Sequence, residues 1–235
     1  MAVVFLFVLL FTKGLIKAQA FTITLSMGIS YDQAVTDIIK AGNRLDDLGL
    51  APATSGNYSI RTDDNKMAIT VSGAHKGMLC AEDVMRADLF GNALEDKKPS
   101  AETLLHCLIY KLFPKVNAVL HTHSVACSVL TRVIKSGEPV ILQGYEMLKA
   151  YPSVNTHEAC VKLPVFDNTQ DMEILSSLVD PVLQQSTDIP AFLIRCHGIY
   201  GWGEDMAESM RVIEATEMLL SCEMNIKLMN STKGQ

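Results

Sequence analysis

Two histidines, His121 and His123, are spaced two residues apart and follow the apolar run 118–120. In an extended strand, side chains alternate between two faces, so residues at positions i and i+2 project to the same side. Both imidazoles can therefore reach one ion, and neutral imidazole is a good ligand for zinc. So short a pattern also fits two partly buried histidines with no metal. A catalytic zinc site needs a third protein ligand, which must come from elsewhere in the chain.

A third imidazole and two carboxylates are candidates for the same site. His197 follows the apolar run 191–194 and is itself followed by glycines that allow close approach of the backbone. Glu102 lies in the first turn of a predicted helix, where it either serves the site or only interacts with the helix dipole. Glu146 follows a predicted strand. It is either an acid or base in a cleft or an exposed loop carboxylate. We interpret the other three histidines as surface or core residues: His75, His106 and His157.

The elements that position these residues alternate between helix and strand. Ser30 can cap a helix whose apolar residues recur at helical spacing until Gly49. Segments 58–61 and 67–71 are strand-like and joined by a polar turn, which predicts a hairpin. Further strands are predicted at 84–89, 118–120, 140–142, 161–166 and 191–194. Further helices are predicted after Ser100 as N-cap, ending before Pro114, and at 125–134, 170–185 and 206–229. This alternation predicts a layered α/β domain whose sheet is not purely parallel.

The loop at 72–77 carries small residues, a hydroxyl and a cation, with Ser72, Gly73 and Lys76 among them. Backbone N–H groups of such a loop can wrap a phosphate. The loop also fits an ordinary connection whose glycines serve only its turns. The earlier segment 53–57, which contains Gly56 and Asn57, is a turn-rich loop.

Composition restricts the possible partners. The chain has 235 residues, a net charge of −6 and a pI near 5.5. It has no basic stripe to neutralise phosphates, which argues against nucleic acid as the main partner. The length predicts one domain, with or without an appended segment. The six cysteines include no C-x-x-C pair, and we interpret them as reduced, mostly buried thiols.

The first 27 residues need separate treatment. Residues 2–11 are almost wholly apolar, and residues 18–20 have the small-x-small form of a signal-peptidase site. However, no Lys or Arg precedes the apolar run, and the run is too short to span a bilayer as a helix. We interpret 1–27 as an apolar leader, disordered or mis-assigned, ahead of one domain at 28–235. A working export signal is the alternative.

Five separated motifs together resemble the class II aldolase family, over about residues 30–230. They are Gly56 with Asn57, Ser72 with Gly73, residues 99–102, His121 with His123, and His197 with Gly198. The resemblance implies a three-layer αβα sandwich around a mixed, largely antiparallel sheet, so that 28–235 is one catalytic domain. It also implies a cytoplasmic homotetramer with one zinc ion per subunit, held by His121, His123 and His197.

Within that family, residues 143–147 and 195–204 are most similar to the dehydratases of methionine salvage. The implied reaction is dehydration of 5-methylthioribulose 1-phosphate to 2,3-diketo-5-methylthiopentyl 1-phosphate through a metal-stabilised enediolate. Glu146 matches the general acid and base of those enzymes. Glu102 matches the acid/base glutamate of the sugar-phosphate aldolases, and here it either ligates zinc, assists catalysis or shapes the site. The family's phosphate-binding positions fall on Gly56, Asn57, Ser72, Gly73 and Ser100, with Lys76 as a helper.

Three alternatives stay open. An aldolase or epimerase acting on another sugar phosphate, such as fuculose or ribulose phosphate, would use the same zinc-stabilised enediolate. The setting of Glu146 favours dehydration over these reactions. The fold also serves as a non-catalytic head of cytoskeletal proteins, but those heads lack the three histidines that this chain retains. The leader alone supports the third alternative, an exported zinc enzyme with an unrelated substrate.

Overall fold

A computed structural model describes residues 3–12, 15–24, 29–185 and 190–232. The apolar leader contributes an antiparallel hairpin of β1 (Val3–Thr12) and β2 (Leu15–Thr24), which forms a sheet of its own. The described backbone of this segment is extended, as expected for a sequence rich in Val, Phe, Ile and Thr. The division into a leader at 1–27 and one catalytic domain at 28–235 stays a prediction.

The centre of the molecule is a seven-stranded sheet in the order β5-β4-β3-β6-β11-β10-β9. Neighbouring strands run antiparallel, except for the parallel pair β9 and β10. The predicted mixed, largely antiparallel sheet is thus confirmed. Its strands are β3 (Asn57–Arg61), β4 (Met67–Thr70), β5 (Val84–Ala87), β6 (Ala118–Thr122), β9 (Val165–Phe166), β10 (Ala191–Ile194) and β11 (Gly198–Gly203).

Helices cover both faces of this sheet and give the expected three layers. The helices are α1 (Tyr31–Asp47), α2 (Thr103–Leu112), α3 (Val125–Val133), α4 (Met172–Gln185) and α5 (Met206–Thr232). One core joins the sheet to α1, α3 and α5, and the other joins it to α2 and α4. Successive strand residues alternate between the two cores, as Leu120 and Val119 do on β6.

The local signals for α1 and α3 are confirmed. The Ser30 side chain accepts the Gln33 N–H at the start of α1, and Ser124 accepts the Cys127 N–H at the start of α3. The predicted cap at Ser100 is wrong. The N–H and hydroxyl of Thr103 both donate to the Ser100 carbonyl, so a turn occupies these residues and α2 begins only at Thr103.

Two predicted strands differ from the structure. Segment 161–166 divides into β8 (Cys160–Leu163) and β9 at Pro164, which has no N–H for a ladder. The strand predicted as buried at 140–142 is β7 (Val140–Gln143), whose alternate residues are exposed. It pairs with β8 in a separate two-stranded sheet, so only one of its faces contacts the core.

All six cysteines are free, as predicted, but they are not mostly buried. Only Cys107 and Cys127 are buried, whereas Cys80, Cys160 and Cys196 are exposed because they lie at turns or an outer strand. Within the described part of the chain, no helix is both apolar and long enough to cross a membrane.

Candidate metal centre and active site

Strand β6 places the two closely spaced histidines at one end of the sheet. His121 pairs with Asn57 of β3 and with Tyr200 of β11, so it lies in the middle of the sheet. Its imidazole is fully buried and stacks on the Tyr200 ring, with centroids 4.2 Å apart. His123 follows the strand, where its backbone N–H donates to the Leu50 carbonyl. Both rings therefore project from one strand end, as the i, i+2 spacing predicts.

His197 reaches the same point from the tight turn between β10 and β11. In this turn Cys196 has a φ of 53° and Ile194 pairs with Gly198. A Cβ on Gly198 would lie 2.0 Å from the carbonyl oxygen of Thr122. Only glycine allows β11 to approach β6 this closely, and that approach carries His197 to His121.

The ligand atoms of the three imidazoles converge. The Nε2 atom of His121 lies 2.9 Å from Nε2 of His123 and 3.4 Å from Nε2 of His197. Suitable nitrogen atoms of all three rings lie within 4.8 Å of one another. The structure thus brings together the three residues that the sequence singled out as metal ligands.

The hydrogen bonds around these rings suit a cation. The Nδ1 atom of His121 lies 2.9 Å from the Ile199 carbonyl oxygen, to which it donates, so its Nε2 carries a lone pair. The Nδ1 atom of His197 faces the side-chain oxygen of Asn168 at 3.3 Å in the same way. Lone pairs on neighbouring nitrogens repel each other unless a positive charge lies between them. The donor set therefore fits a divalent metal ion held by neutral imidazole.

Glu102 adds a carboxylate to the same cluster. Its Oε2 lies 3.2 Å from Nε2 of His121, and its Oε1 lies 3.3 Å from Nε2 of His197. Asn57 donates its side-chain N–H to Oε2 of Glu102 over 2.7 Å. Burial by itself raises the pKa of this carboxyl, but the imidazoles and the Asn57 amide outweigh burial and hold the pKa below its usual range. Glu102 is therefore an ionised acceptor at the candidate metal centre.

The predicted phosphate-binding positions lie on adjoining segments. Val71 pairs with Pro99 and the Ser72 N–H donates to the Lys98 carbonyl, so the segment that carries Ser72 and Gly73 runs antiparallel to the segment that leads to Ser100. Ser72 and Gly73 are exposed. Asn57 is buried, and its amide is already bound by Glu102 and His106.

Lys76 is placed differently from a direct phosphate ligand. Its side chain is 1% exposed, and Nζ donates to the carbonyl oxygens of Thr54 at 3.1 Å and Ala74 at 2.5 Å. Burial lowers its pKa to about 8, so the ammonium is still charged at neutral pH. Lys76 thus ties the loop before Gly56 to the loop after Ser72.

Glu146 is not grouped with the histidines in this chain. It begins a 3-10 turn at 146–150, with its side chain 72% exposed. Its ionisable neighbours are Lys149, which donates to its Oε1 at 2.5 Å, and His157, whose Nδ1 lies 3.8 Å from Oε2. These contacts are exposed and contribute little to stability.

Comparison with known proteins identifies the family. Residues 36–224 match the model of the class II aldolase and adducin N-terminal domain. The chain belongs to this family. It is 51% identical over 196 residues to the methylthioribulose-1-phosphate dehydratase of Hahella chejuensis, covering 83% of this chain and 94% of that protein. It is 48% identical over 201 residues to the protein of the same name from Pseudomonas paraeruginosa, covering 85% and 98% of the two chains.

Solved structures of this family share the fold. YgbL of Klebsiella pneumoniae, described as a putative aldolase/epimerase/decarboxylase, superimposes with a TM-score of 0.73 at 21% identity, covering 85% of this chain and 92% of that chain. An L-fuculose 1-phosphate aldolase superimposes with a TM-score of 0.70 at 24% identity, covering 87% and 90%. At these identities the likeness establishes the α/β architecture alone.

Sequence reasoning missed His106, which is a buried neighbour of the cluster. Its Nε2 bonds to the Asn57 side-chain oxygen and its Nδ1 lies 2.7 Å from the Ser59 hydroxyl. A signal was available, because Glu102, His106 and Tyr110 are spaced by four residues and so share one face of a helix. Asn57 and Ser59 likewise share one face of a strand.

Substitution of Gly56 by alanine is expected to destabilise the protein and disturb the cluster. Gly56 has a φ of +79°, and a Cβ there would lie 2.6 Å from the His121 carbonyl oxygen. Gly137 has the same φ, but a Cβ there meets nothing within 4 Å. We expect Gly56→Ala to cost about 2 kcal/mol more than Gly137→Ala in denaturant unfolding, because only Gly56→Ala adds a clash to the strain. Equal costs would contradict the close approach.

The metal-free protein is expected to lose stability between pH 7.0 and pH 5.5. Burial lowers the pKa of His121 to about 4, and lowers those of His123 and His106 to about 3. In the unfolded chain these imidazoles titrate near pH 6.5, so as pH falls below that value the unfolded state binds protons that the folded state cannot. Denaturant unfolding in chelator at both pH values tests this, and equal or greater stability at pH 5.5 would contradict it.

Proposed function

We propose that this chain is a zinc-dependent hydro-lyase of methionine salvage. It dehydrates 5-methylthioribulose 1-phosphate to 2,3-diketo-5-methylthiopentyl 1-phosphate. The observation that carries the proposal is about 50% identity, over nearly their whole length, to proteins named methylthioribulose-1-phosphate dehydratase. The convergence of His121, His123 and His197 supports zinc, because three imidazoles leave a fourth position open for a substrate oxygen.

The proposed chemistry divides between the metal and the carboxylates. Zinc, when bound, supplies Lewis acidity that stabilises negative charge developing beside the substrate carbonyl. Glu146 removes the proton from C3 and delivers a proton to the C4 hydroxyl, which leaves as water. The resulting enol carries its hydroxyl on C3 and tautomerises to the diketone. Glu102 is ionised and contacts two of the histidines, so its negative charge favours a bound cation at the site.

The phosphate group is assigned to the adjoining loops. Backbone N–H groups around Gly56 and Gly73, with the hydroxyls of Ser72 and Ser100, are suited to phosphate oxygens. Lys76 contributes its charge without direct contact, since its Nζ is occupied by backbone carbonyls. The net charge of −6 makes such a local positive contribution necessary for an anionic substrate.

We further propose that Glu146 acts in the site of a neighbouring subunit of a homotetramer. Its 72% exposure, and a metal-ligand cluster that consists of the three histidines without it, support this arrangement. Helix α3 begins two residues after His123 and exposes Val125, Val129 and Val133, which share one face at a spacing of four. Met147, which follows Glu146 in the chain, and Ile141 of β7 are also exposed. Exposed apolar residues near the histidines in sequence and near Glu146 in sequence suit contact between two copies of the chain.

Product analysis tests the proposed reaction against an aldolase or epimerase. We expect the zinc-loaded protein to convert 5-methylthioribulose 1-phosphate to a product lighter by one water, with its carbon chain intact. Fuculose 1-phosphate and ribulose phosphate serve as comparison substrates. Cleavage into two fragments, epimerisation, or a larger kcat/KM on either comparison substrate would replace dehydration with the corresponding alternative.

The cytoplasmic location is also a proposal. It follows from the salvage function and requires that the leader not act as an export signal. Mass spectrometry of the protein isolated from its native cells gives the first residue. A chain beginning at Phe21, after the small-x-small site, would indicate export and contradict this location.

A further inference from the structure

A continuous set of buried hydrogen bonds leads from the interior to Glu102. Tyr110 and Ser59 bond through their hydroxyls at 2.8 Å, Ser59 bonds to Nδ1 of His106, and Nε2 of His106 bonds to Asn57. Asn57 then donates to Glu102. Ser59 and His106 are fully buried, and Asn57 is 3% exposed. Tyr110 and His106 lie on helix α2, Glu102 directly precedes that helix, and Ser59 and Asn57 lie on strand β3, so the bonds join one helix face to one strand face.

The donors of this set follow from the orientation of the Asn57 amide. The amide presents its N–H to Glu102 and its oxygen to His106. Nε2 of His106 therefore carries a proton. A fully buried His106 is neutral, since burial lowers its pKa to about 3, so its Nδ1 accepts the Ser59 hydroxyl proton. The Ser59 oxygen then accepts from the Tyr110 hydroxyl.

A flipped Asn57 amide would require the rest of the set to reverse. Its N–H would face Nε2 of His106, and the neutral His106 would then have to accept at Nε2 and donate at Nδ1. Buried polar groups without partners are costly, so the amide does not rotate independently of the imidazole.

We propose that Tyr110, Ser59, His106 and Asn57 form a positioning relay that holds the Glu102 carboxyl group in place beside the three metal-ligand histidines, with His106 as its central residue. His106 touches neither the ligands' nitrogens nor substrate and acts through Asn57. The effect of the relay on turnover rests on the proposed function. Its effect on metal affinity does not, because that depends only on Glu102 and the imidazoles.

Two substitutions of His106 test the relay. His106→Phe keeps a ring in the core but removes both nitrogens, whereas His106→Gln keeps one donor and one acceptor on a side chain of similar reach. Tyr151→Phe is the matched control, because it removes a buried hydroxyl bond of 2.8 Å, to Thr216, in the core on the other face of the sheet. Zinc affinity, by competition with a chromogenic chelator, is measured together with kcat, KM and thermal unfolding.

We expect His106→Phe to weaken zinc binding and to lower kcat, each by about 10-fold or more, with KM changed by less than about threefold. His106→Gln should recover most of both losses, and Tyr151→Phe should lower only the unfolding temperature. Zinc affinity of His106→Phe within twofold of wild type would overturn the relay. So would an equal loss of zinc affinity in Tyr151→Phe, because general loosening of the core would then account for the effect.

If His106→Phe does not fold, Ser59→Ala provides the same test with a smaller change. It leaves Nδ1 of His106 without its donor, and we expect zinc affinity to fall by about threefold. Unchanged zinc affinity in this variant would overturn the proposal. A wild-type protein that binds zinc but does not dehydrate the substrate would remove the proposed function while leaving the zinc measurements as a test of the relay.

Discussion

Replacement of His123 by asparagine is expected to abolish stable zinc binding and to lower dehydration by at least about a thousandfold. The shorter amide cannot reach the point where the three Nε2 atoms converge, which leaves two imidazoles. His123 is only half-buried, and its backbone N–H still donates to the Leu50 carbonyl in the variant. The fold should therefore persist. Zinc content after dialysis and kcat/KM are the measurements.

Added imidazole provides the control for this variant. In His123→Gly the missing ring leaves space at the cluster, and free imidazole at millimolar concentration should restore part of the zinc content and activity. A His123→Asn protein that keeps one tightly bound zinc per chain and near wild-type turnover would show that the ion is held elsewhere.

Replacement of Glu146 by glutamine is expected to lower kcat by about 10²–10⁴-fold, because the amide can neither take nor deliver the proton. Zinc content and thermal unfolding should not change, since the side chain is exposed and is not one of the clustered ligands. Glu158→Gln is the matched control, because Glu158 is also an exposed carboxylate of the segment between β7 and β8. It should retain wild-type kcat, and an unaffected kcat in Glu146→Gln would refute the assigned role.

Mixed oligomers show which subunit supplies Glu146. If each site combines histidines of one subunit with Glu146 of a neighbour, co-expressed His123→Asn and Glu146→Gln chains form some sites in which both halves are intact. With random assembly, about one site in four pairs an intact histidine set with an intact glutamate, so about a quarter of wild-type activity should return. Activity no higher than that of the separate variants would place both halves in one chain.

The sequence predicts the layers of this fold because they depend on local patterns. Ser30 and Ser124 cap their helices as expected, and the apolar runs before His121 and His197 become neighbouring strands of the central sheet. The convergence of His197 on His121 depends on the approach of β11 to β6 at Gly198, which no local pattern specifies. The resemblance to a family, not spacing alone, allowed that contact to be predicted.

Other features could not be predicted because they depend on contacts between distant segments. The first turn of α2 is displaced from Ser100 by the bonds of Thr103, and Pro164 ends one strand before another begins. Lys76 appears in the sequence as a free cation for a phosphate. In the structure its side chain is buried and its Nζ donates to the Thr54 carbonyl, a contact that no local pattern predicts. Glu146 follows its predicted strand, but β7 lies outside the central sheet and so leaves Glu146 exposed.

The most direct test of the metal-centred account is the activity of one preparation before and after removal of its metal. Chelator-stripped protein should fail to dehydrate 5-methylthioribulose 1-phosphate, and one equivalent of zinc per chain should restore water loss without cleavage of the carbon chain. If the stripped protein, verified to contain no metal, turns over substrate as fast as the zinc-loaded form, the three histidines do not hold a catalytic ion.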